Sequence, residues 1–152
     1  MGRIAEATLT DGRKIQYVIT DRPPRGGMKY TYFTTDRTQV VQFFLRPDEA
    51  RDPDVRRRLE AIIGRYNPTR SEAGGGAQGN SEAMADYFSQ RFCWPAAIVE
   101  SPEFGVVCPA YPQNFLFQAG ASATLELAGK DKRSNWFTTR TRRFLQPREL
   151  GA

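Results

Sequence analysis

The sequence predicts an α+β fold, in which an antiparallel sheet of five or six strands is combined with one or two helices. Strand-like runs separated by turn residues fill the first 45 positions and return at 95–112. Between them, apolar residues recur at helical spacing in two segments. A length of 152 residues suits one domain, so we expect a single domain over 1–152.

Composition indicates a folded chain with few catalytic side chains. Hydrophobic residues make up 39% and charged residues 26%, which is typical of soluble globular proteins. There is no apolar run of membrane-spanning length and no signal-peptide pattern, so we expect a cytoplasmic protein in which Cys93 and Cys108 are reduced. Histidine is absent, which excludes Ser-His and Cys-His nucleophile pairs. We therefore predict no catalytic residue and no metal site in this chain.

Four strands are predicted before residue 46. An Asp11-Gly12 pair suits the tight turn between the first two strands, because that turn needs positive φ. Prolines and glycines at 20–29 predict a loop before the third strand, and TTDRT predicts a turn before the fourth. Short connections of this kind imply an antiparallel meander. The four runs are RIAEATL, RKIQYVIT, YTYF and QVVQFFL.

Two helices are predicted between the groups of strands. The first begins at Pro53 with Asp52 as its N-cap, and the second spans 81–92 with Asn80 or Ser81 as its N-cap. Residues 69–80 are rich in glycine and are predicted to form a flexible internal loop. The residues expected to face the core are Val55, Leu59, Ile62, Ile63 and Tyr66 on the first helix, and Met84, Tyr87, Phe88 and Phe92 on the second.

Residues 129–152 form a strongly basic C-terminal segment. Between Lys130 and Arg148 the only acidic residue is Asp131. Such a segment can bind phosphates, with Trp136 and Phe137 stacking on bases. Solvated basic faces are common, so we expect nucleic acid not to be the partner.

The order of the elements resembles that of a protein-kinase N-lobe: strand, glycine loop, strand, turn, strand, helix, strand, strand. The run CWPAAIV resembles the HPNIV element that follows the kinase C-helix, and FGVVCPAYP resembles the fifth strand and the hinge. The glycine loop partly matches G-x-G-x-x-G-x-V-Y, with Gly26 at the second glycine and Lys29 at the third. The resemblance implies a nucleotide-binding lobe.

The third strand departs from the kinase pattern. Kinases carry the phosphate-binding lysine there, in V-A-x-K, whereas this strand offers Gln42 or Phe43. The chain is similar in this respect to the with-no-lysine kinases, whose lysine lies in the glycine loop. The similarity implies that Gly26, Gly27 and Lys29 hold the ATP phosphates, since a cation can reach them from either strand. The alternative is that Lys29 is a solvated turn residue.

A kinase lysine needs a carboxylate from the C-helix to orient it. The resemblance makes Glu82 and Asp86 on the second helix the candidates, with Glu60 on the first helix in reserve. Glu60 lies off the apolar face of its helix, so simple exposure is the alternative for it. For Glu82 the alternative is stabilisation of a helix N-terminus.

The resemblance also places the adenine at a hinge formed by residues 109–111. There the carbonyl of Pro109 and the amide of Tyr111 would bind the base, because proline has no N–H. Val107, or Val106 beside it, would pack against the adenine. Both valines also suit a plain role in the core of the sheet.

Four segments together resemble the kinase member of bacterial TerY phosphorylation triads. The segments are GGMKYTYF…VVQFF, RLEAIIGRYNPT, FCWPAAIV…FGVVCPAYPQNFLF and GKDKRSNWF. These triads combine a von Willebrand-type protein, a PP2C-like phosphatase and a kinase-like protein, and are linked to tellurium resistance. The resemblance implies a Ser/Thr kinase-like protein of bacterial phosphosignalling or stress resistance, with the other two triad proteins as possible partners.

The catalytic motifs of a kinase are missing from this chain. It contains neither H-R-D-x-x-x-x-N nor D-F-G, which hold the catalytic aspartate and the Mg²⁺ ligands. We therefore expect the basic segment to lead into a C-lobe, supplied by the same protein or by a separate chain. ATP is the expected cofactor, Mg²⁺ is expected only with that C-lobe, and this chain alone should transfer no phosphate. The alternative is a pseudokinase-type scaffold that binds a protein partner.

Overall fold

Six strands form one antiparallel sheet in the spatial order β2-β1-β5-β6-β4-β3. The computed structural model describes residues 2–112 and Phe115. The chain divides into two units, Met1–Ala110 and Tyr111–Ala152, and all the elements named here belong to the first. The α+β class and the six-stranded antiparallel sheet are confirmed. The strands are β1 (Arg3–Leu9), β2 (Lys14–Ile19), β3 (Lys29–Phe33), β4 (Gln39–Phe44), β5 (Ala97–Ser101) and β6 (Gly105–Pro109), and the helices are α1 (Pro47–Ala50), α2 (Pro53–Ile63) and α3 (Glu82–Ser89).

Two tight turns create the first two hairpins where the sequence predicts them. Gly12 adopts a φ of 82° between β1 and β2, and its N–H donates to the Leu9 carbonyl at 2.9 Å. Between β3 and β4, the Asp36 carboxylate accepts hydrogen bonds from the Thr34 hydroxyl at 2.6 Å and from the Thr38 N–H at 3.1 Å. A backbone bond thus closes the first turn, and side-chain bonds of Asp36 close the second.

The predicted four-strand meander is wrong, because β2 and β3 share no ladder. They meet at a single bridge between Tyr17 and Thr34, which nearly closes the sheet. β1 pairs instead with β5, and β4 pairs with β6, so the last two strands fill the centre of the sheet. The proline- and glycine-rich connection between β2 and β3 allows this separation.

The curved sheet has an inner and an outer apolar face. Ladder partners in an antiparallel sheet point to the same face, which sorts the side chains into two clusters. The outer cluster packs against Ala50 of α1 and against Leu59 and Ile63 of α2. The buried inner residues are Ala7, Leu9, Tyr17, Val41, Phe43, Val99 and Val107, and the buried outer ones are Val40, Phe44, Ala50, Ile98, Phe104, Val106 and Cys108.

The helix caps agree with the sequence, but the predicted core face of α3 is wrong. Asp52 accepts from the Asp54 N–H at 2.8 Å, and Ser81 accepts from the Met84 N–H at 3.3 Å. On α3, however, Met84 and Tyr87 are about half exposed, at 48% and 52%. The reason is that α1 and α2 already cover the outer face, and α3 adds no residue to either core cluster.

Two buried asparagines organise the segment between α2 and α3. The Asn80 side-chain amide donates to the carbonyls of Pro68 and Arg70, at 2.8 and 2.6 Å. The carbonyl of Asn67 accepts from the Ala77 N–H at 3.0 Å. These bonds satisfy buried polar groups within the glycine-rich segment 69–80. Its predicted flexibility stays a prediction.

In the described part of the chain, every helix is too short or too polar to cross a bilayer.

Candidate functional site

Lys29 is the first residue of β3 and lies on the outer face of the sheet. Its ladder partner is Phe44, and its ammonium Nζ lies 4.9 Å from the centre of the Phe44 ring. The side chain is half-buried, and this burial lowers the pKa of Lys29 because it disfavours the charged form. The Cys108 thiol has a smaller effect, which raises that pKa. The ring contact recovers part of the lost hydration.

The structure brings none of the three candidate carboxylates into an ion pair with Lys29. Glu60 pairs with Arg56, one turn earlier on α2, at 3.0 Å. Glu82 accepts a hydrogen bond from the Ser71 hydroxyl at 3.1 Å, and Asp86 is exposed on α3. Among residues 2–112 no salt bridge includes Lys29. The ammonium is therefore a half-buried cation with no carboxylate beside it in the described part of the chain.

The glycine pair forms a tight turn at the start of β3. The Gly26 N–H donates to the Lys29 carbonyl at 3.0 Å, and Arg25 forms a bridge with Tyr30. Neither Gly26 nor Gly27 has positive φ, and a Cβ on Gly27 would meet nothing within 4 Å. The backbone conformation of the turn therefore accepts other residues at Gly27.

A cleft of about 630 Å³ lies beside this turn, and we call it the loop cleft. Phe44 forms part of the wall of this cleft, and the Lys29 ammonium lies over the Phe44 ring. Two arginines and one carboxylate face it, and Arg46 pairs with Glu49 at 3.2 Å. The loop cleft thus joins a positively charged margin to an apolar wall. Its lining residues are Arg25, Gly27, Met28, Phe44, Leu45, Arg46, Glu49, Ala50 and Val55.

Gln42 is one of the two residues, with Phe43, that the kinase resemblance places where kinases carry their strand lysine. Its side-chain amide donates to the Thr31 hydroxyl at 3.4 Å, and its Oε1 accepts from the Cys108 thiol at 3.7 Å. These contacts place Gln42 on the same face as Lys29, two residues further along the ladder. Within the described residues, the cation that lies on the outer face of these two strands is Lys29 of β3, because β4 has Gln42 there.

The residues predicted to contact adenine do not share one environment in the structure. Val107 is buried in the inner cluster, opposite the face of Lys29, whereas Val106 pairs with Gln42 on the outer face and is fully buried. Pro109 is exposed at the end of β6. Tyr111 belongs to the second unit and is 57% exposed. The register separates Val107 from Lys29, so Val106 is the valine that shares the face of the lysine.

Two arginines of the loop cleft were not predicted from the sequence. Arg25 directly precedes the glycine pair, so its position in the sequence could have indicated that it lies near the same turn. Arg46 reaches the cleft only because the single turn of α1 begins at the next residue. A helix of one turn leaves too little periodicity to be predicted.

No protein-family model, curated protein or solved structure matches the chain. The likeness to a kinase N-lobe and to TerY triads stays a prediction from the sequence motifs. The geometry of Lys29 and the loop cleft is what supports a functional proposal.

Proposed function

We propose that this chain is a nucleotide-binding module of a bacterial Ser/Thr protein-kinase-like protein, in which Lys29 and the Gly26-Gly27 turn hold the phosphates of ATP. The observation that carries the proposal is the half-buried ammonium of Lys29, which lacks a carboxylate in the described part of the chain and lies over the ring of Phe44, a wall residue of the loop cleft. Without C-lobe motifs, the module binds nucleotide but does not transfer phosphate by itself.

The physical argument concerns the cost of desolvating a cation. A half-buried ammonium loses hydration that a nearby anion would replace. Arg25 makes no salt bridge among residues 2–112, so two cations on this side of the sheet have charge to offer an incoming phosphate. Gly27 leaves its backbone open to close approach, since no atom lies within 4 Å of the position that a Cβ would take.

The residues fit the phosphate end of a nucleotide better than its base. The predicted adenine contacts are the Pro109 carbonyl and the Tyr111 amide, and the Ala110 N–H between them donates to the Thr38 carbonyl at 2.9 Å, so this third backbone group is not open to the base. Within the described residues, no cluster of three acidic or cysteine side chains is placed to hold a metal ion. When bound, ATP would supply the anionic phosphates, and Mg²⁺ would be held by the C-lobe.

The test is a titration of the ¹⁵N-labelled chain with ATP and with Mg-ATP, followed by amide shifts. We expect shifts at residues 25–32, and a dissociation constant weakened about ten- to a hundredfold in Lys29→Met, which removes a charge-assisted bond. Lys14→Met is the matched control, because Lys14 carries the same charge on β2 and pairs with Glu6 at 2.8 Å. Equal affinity of the two variants would refute the phosphate site.

A second pair of substitutions tests the position of the cation. Lys29→Gln combined with Gln42→Lys moves the ammonium from β3 to the neighbouring position on β4, on the same face. We expect this double variant to regain part of the affinity that Lys29→Gln loses, because a phosphate needs only a cation within a few ångströms. Failure of the double variant, with its fold intact, would show that the site depends on Lys29 for another reason.

One observation favours a pseudokinase-type scaffold as a second candidate. Met84, Tyr87 and Phe92 are exposed by 48%, 52% and 48%, and exposed apolar patches of this kind mark interaction surfaces. The resemblance names a C-lobe, a von Willebrand-type protein and a PP2C-like phosphatase as partners to try. A scaffold would bind one of these proteins without nucleotide, and Tyr87→Ser with Phe92→Ser would weaken that binding. Lys29→Met would leave it unchanged.

A further inference from the structure

The outward side of α2 carries a second cleft, of about 470 Å³, which we call the α2 cleft. The helix uses Leu59 and Ile63 to pack on the sheet. Ile62 and Tyr66, which the sequence predicts to face the core, are instead 36% and 58% exposed. Leu59 and Ile63 are four residues apart and share one face, and Ile62 lies on the flank of that face. The helix therefore presents apolar surface on two sides.

The outward residues form a stripe at helical spacing. Arg58, and Arg65 just after the end of the helix, are each three or four residues away from Ala61 and Ile62, and all four line the same cleft. The Trp94 indole N–H donates to the Ile62 carbonyl at 2.8 Å, and so satisfies one of the terminal carbonyls of α2. We call the apolar residues Ile62 and Tyr66 the floor of the α2 cleft, and this bond fixes the backbone of the floor at Ile62.

The rim of the α2 cleft is positively charged, and only part of that charge is neutralised. Arg57 forms an ion pair with Asp54, three residues earlier. Arg58 and Arg65 take part in none of the salt bridges found among residues 2–112, and the Arg65 guanidinium lies 4.8 Å from the centre of the Tyr66 ring. Two exposed arginines therefore border an apolar floor.

We propose that the α2 cleft binds an acidic peptide segment of another protein. Its carboxylates pair with Arg58 and Arg65, and one bulky apolar side chain packs on Ile62 and Tyr66. Charge complementarity selects this occupant, because arginine recognises carboxylates by paired hydrogen bonds and an apolar anchor fills the floor. The proposal is independent of nucleotide binding, since the α2 cleft and the loop cleft share no lining residue.

The first step of the test selects random dodecapeptides displayed on phage against the immobilised chain. We expect the selected peptides to contain acidic residues together with an aromatic or long aliphatic residue. Selection of peptides without an acidic bias would overturn the proposal, and so would the same peptides enriched on Arg58→Glu/Arg65→Glu.

The second step measures one selected peptide, labelled with fluorescein, by fluorescence anisotropy. We expect Arg58→Glu/Arg65→Glu to weaken binding by at least about tenfold. The control Arg3→Glu/Arg22→Glu changes the net charge equally at exposed sites away from α2, and should stay within about twofold of the parent, as should Lys29→Met. Tyr66→Ser gives an independent variant that keeps all the charges, and it too should weaken binding.

Three further results would also overturn the proposal. The control variant could lose as much affinity as Arg58→Glu/Arg65→Glu, which would show only a general attraction between charges. The chain could self-associate through the α2 cleft, with Arg58→Glu/Arg65→Glu alone becoming monomeric in sedimentation. A single-stranded oligonucleotide could bind more tightly than the peptide and lose its binding in the same variant, which would identify a nucleic-acid surface instead.

Discussion

Gly105→Ala tests whether the centre of the sheet is as tightly packed as the structure indicates. Gly105 opens β6 and pairs with Phe43 of β4 and with Val99 of β5. A Cβ built on it would lie 2.4 Å from the Gln42 carbonyl oxygen and 3.1 Å from Cδ1 of Phe43. Real Cβ atoms essentially never approach closer than 3.0 Å, so an alanine would push the strands apart.

The size of the effect follows from what has to move. To restore a distance of 3.0 Å from 2.4 Å, the Gln42 carbonyl would retreat by about 0.6 Å, and it belongs to the backbone of an adjacent strand. Overpacking of this kind costs ~1–3 kcal/mol, and the fully buried Phe104 and Val106 on either side leave little room for relaxation. We expect a loss near the top of that range, about 3 kcal/mol in the free energy of unfolding.

The assay is urea unfolding followed by circular dichroism, with Gly27→Ala as the matched control. Gly27 has no positive φ, and its Cβ would meet nothing within 4 Å. Alanine there should raise the free energy of unfolding by ~0.4–1 kcal/mol, because it restricts the unfolded chain. If the two variants differ by less than about 1 kcal/mol, the close approach of β4 to β6 is not a constraint on the fold.

Three further predictions concern single side chains. Lys29→Met should raise the free energy of unfolding at neutral pH. The lowered pKa of Lys29 means that its charged form costs stability, a cost relieved only as pH rises through the folded pKa; a less stable variant in urea would refute this. Hydrogen bonding from Arg56 holds the pKa of Glu100 below its ordinary 4.5, so this carboxylate stabilises the fold above that pH and the gain disappears as pH falls through the folded pKa. Melting temperatures of Glu100→Gln should therefore fall less on acidification than those of the parent, and parallel profiles would contradict the ion pair. Phe104→Ala should cost about 4 kcal/mol in urea unfolding, because the side chain is fully buried, and a loss below about 2 kcal/mol would show that the site collapses.

Elements fixed by nearby residues could be predicted from the sequence. Strand β1 lies at the predicted residues, and Gly12 supplies the positive φ that its turn needs. The caps at Asp52 and Ser81 accept backbone N–H groups as expected. Each of these features depends on a few neighbouring residues, and such local preferences are readable in a single sequence.

The pairing of distant strands could not be predicted in the same way. Strand-like runs with short turns suit a meander, but β1 pairs with β5 through partners such as Leu9 and Val99. That choice is made by the burial of side chains far apart in sequence. The same cause explains α3, whose apolar residues have helical spacing while the face they would cover is already occupied by Leu59 and Ile63.

The candidate site was predictable only where it follows a local motif. Gly26, Gly27 and Lys29 are adjacent in sequence, and a motif could locate them. A carboxylate to accompany Lys29 required a guess about which helix lies near the sheet. Glu60 lies on a helix that packs there, but its side chain turns to Arg56. Orientation on a helix is set by packing and by competing ion pairs, which spacing alone does not reveal.

The residues that suggest a function are also those for which the fold has least need. Gly12 is required by its φ of 82°, and Gly105 by the strand beside it. Gly27 has neither requirement, and Lys29 desolvates an ammonium without a carboxylate in the described chain. Residues that lower stability and make no compensating contribution to the fold are expected at functional sites. The turn that holds Gly27 and Lys29 is therefore where a ligand should be sought first.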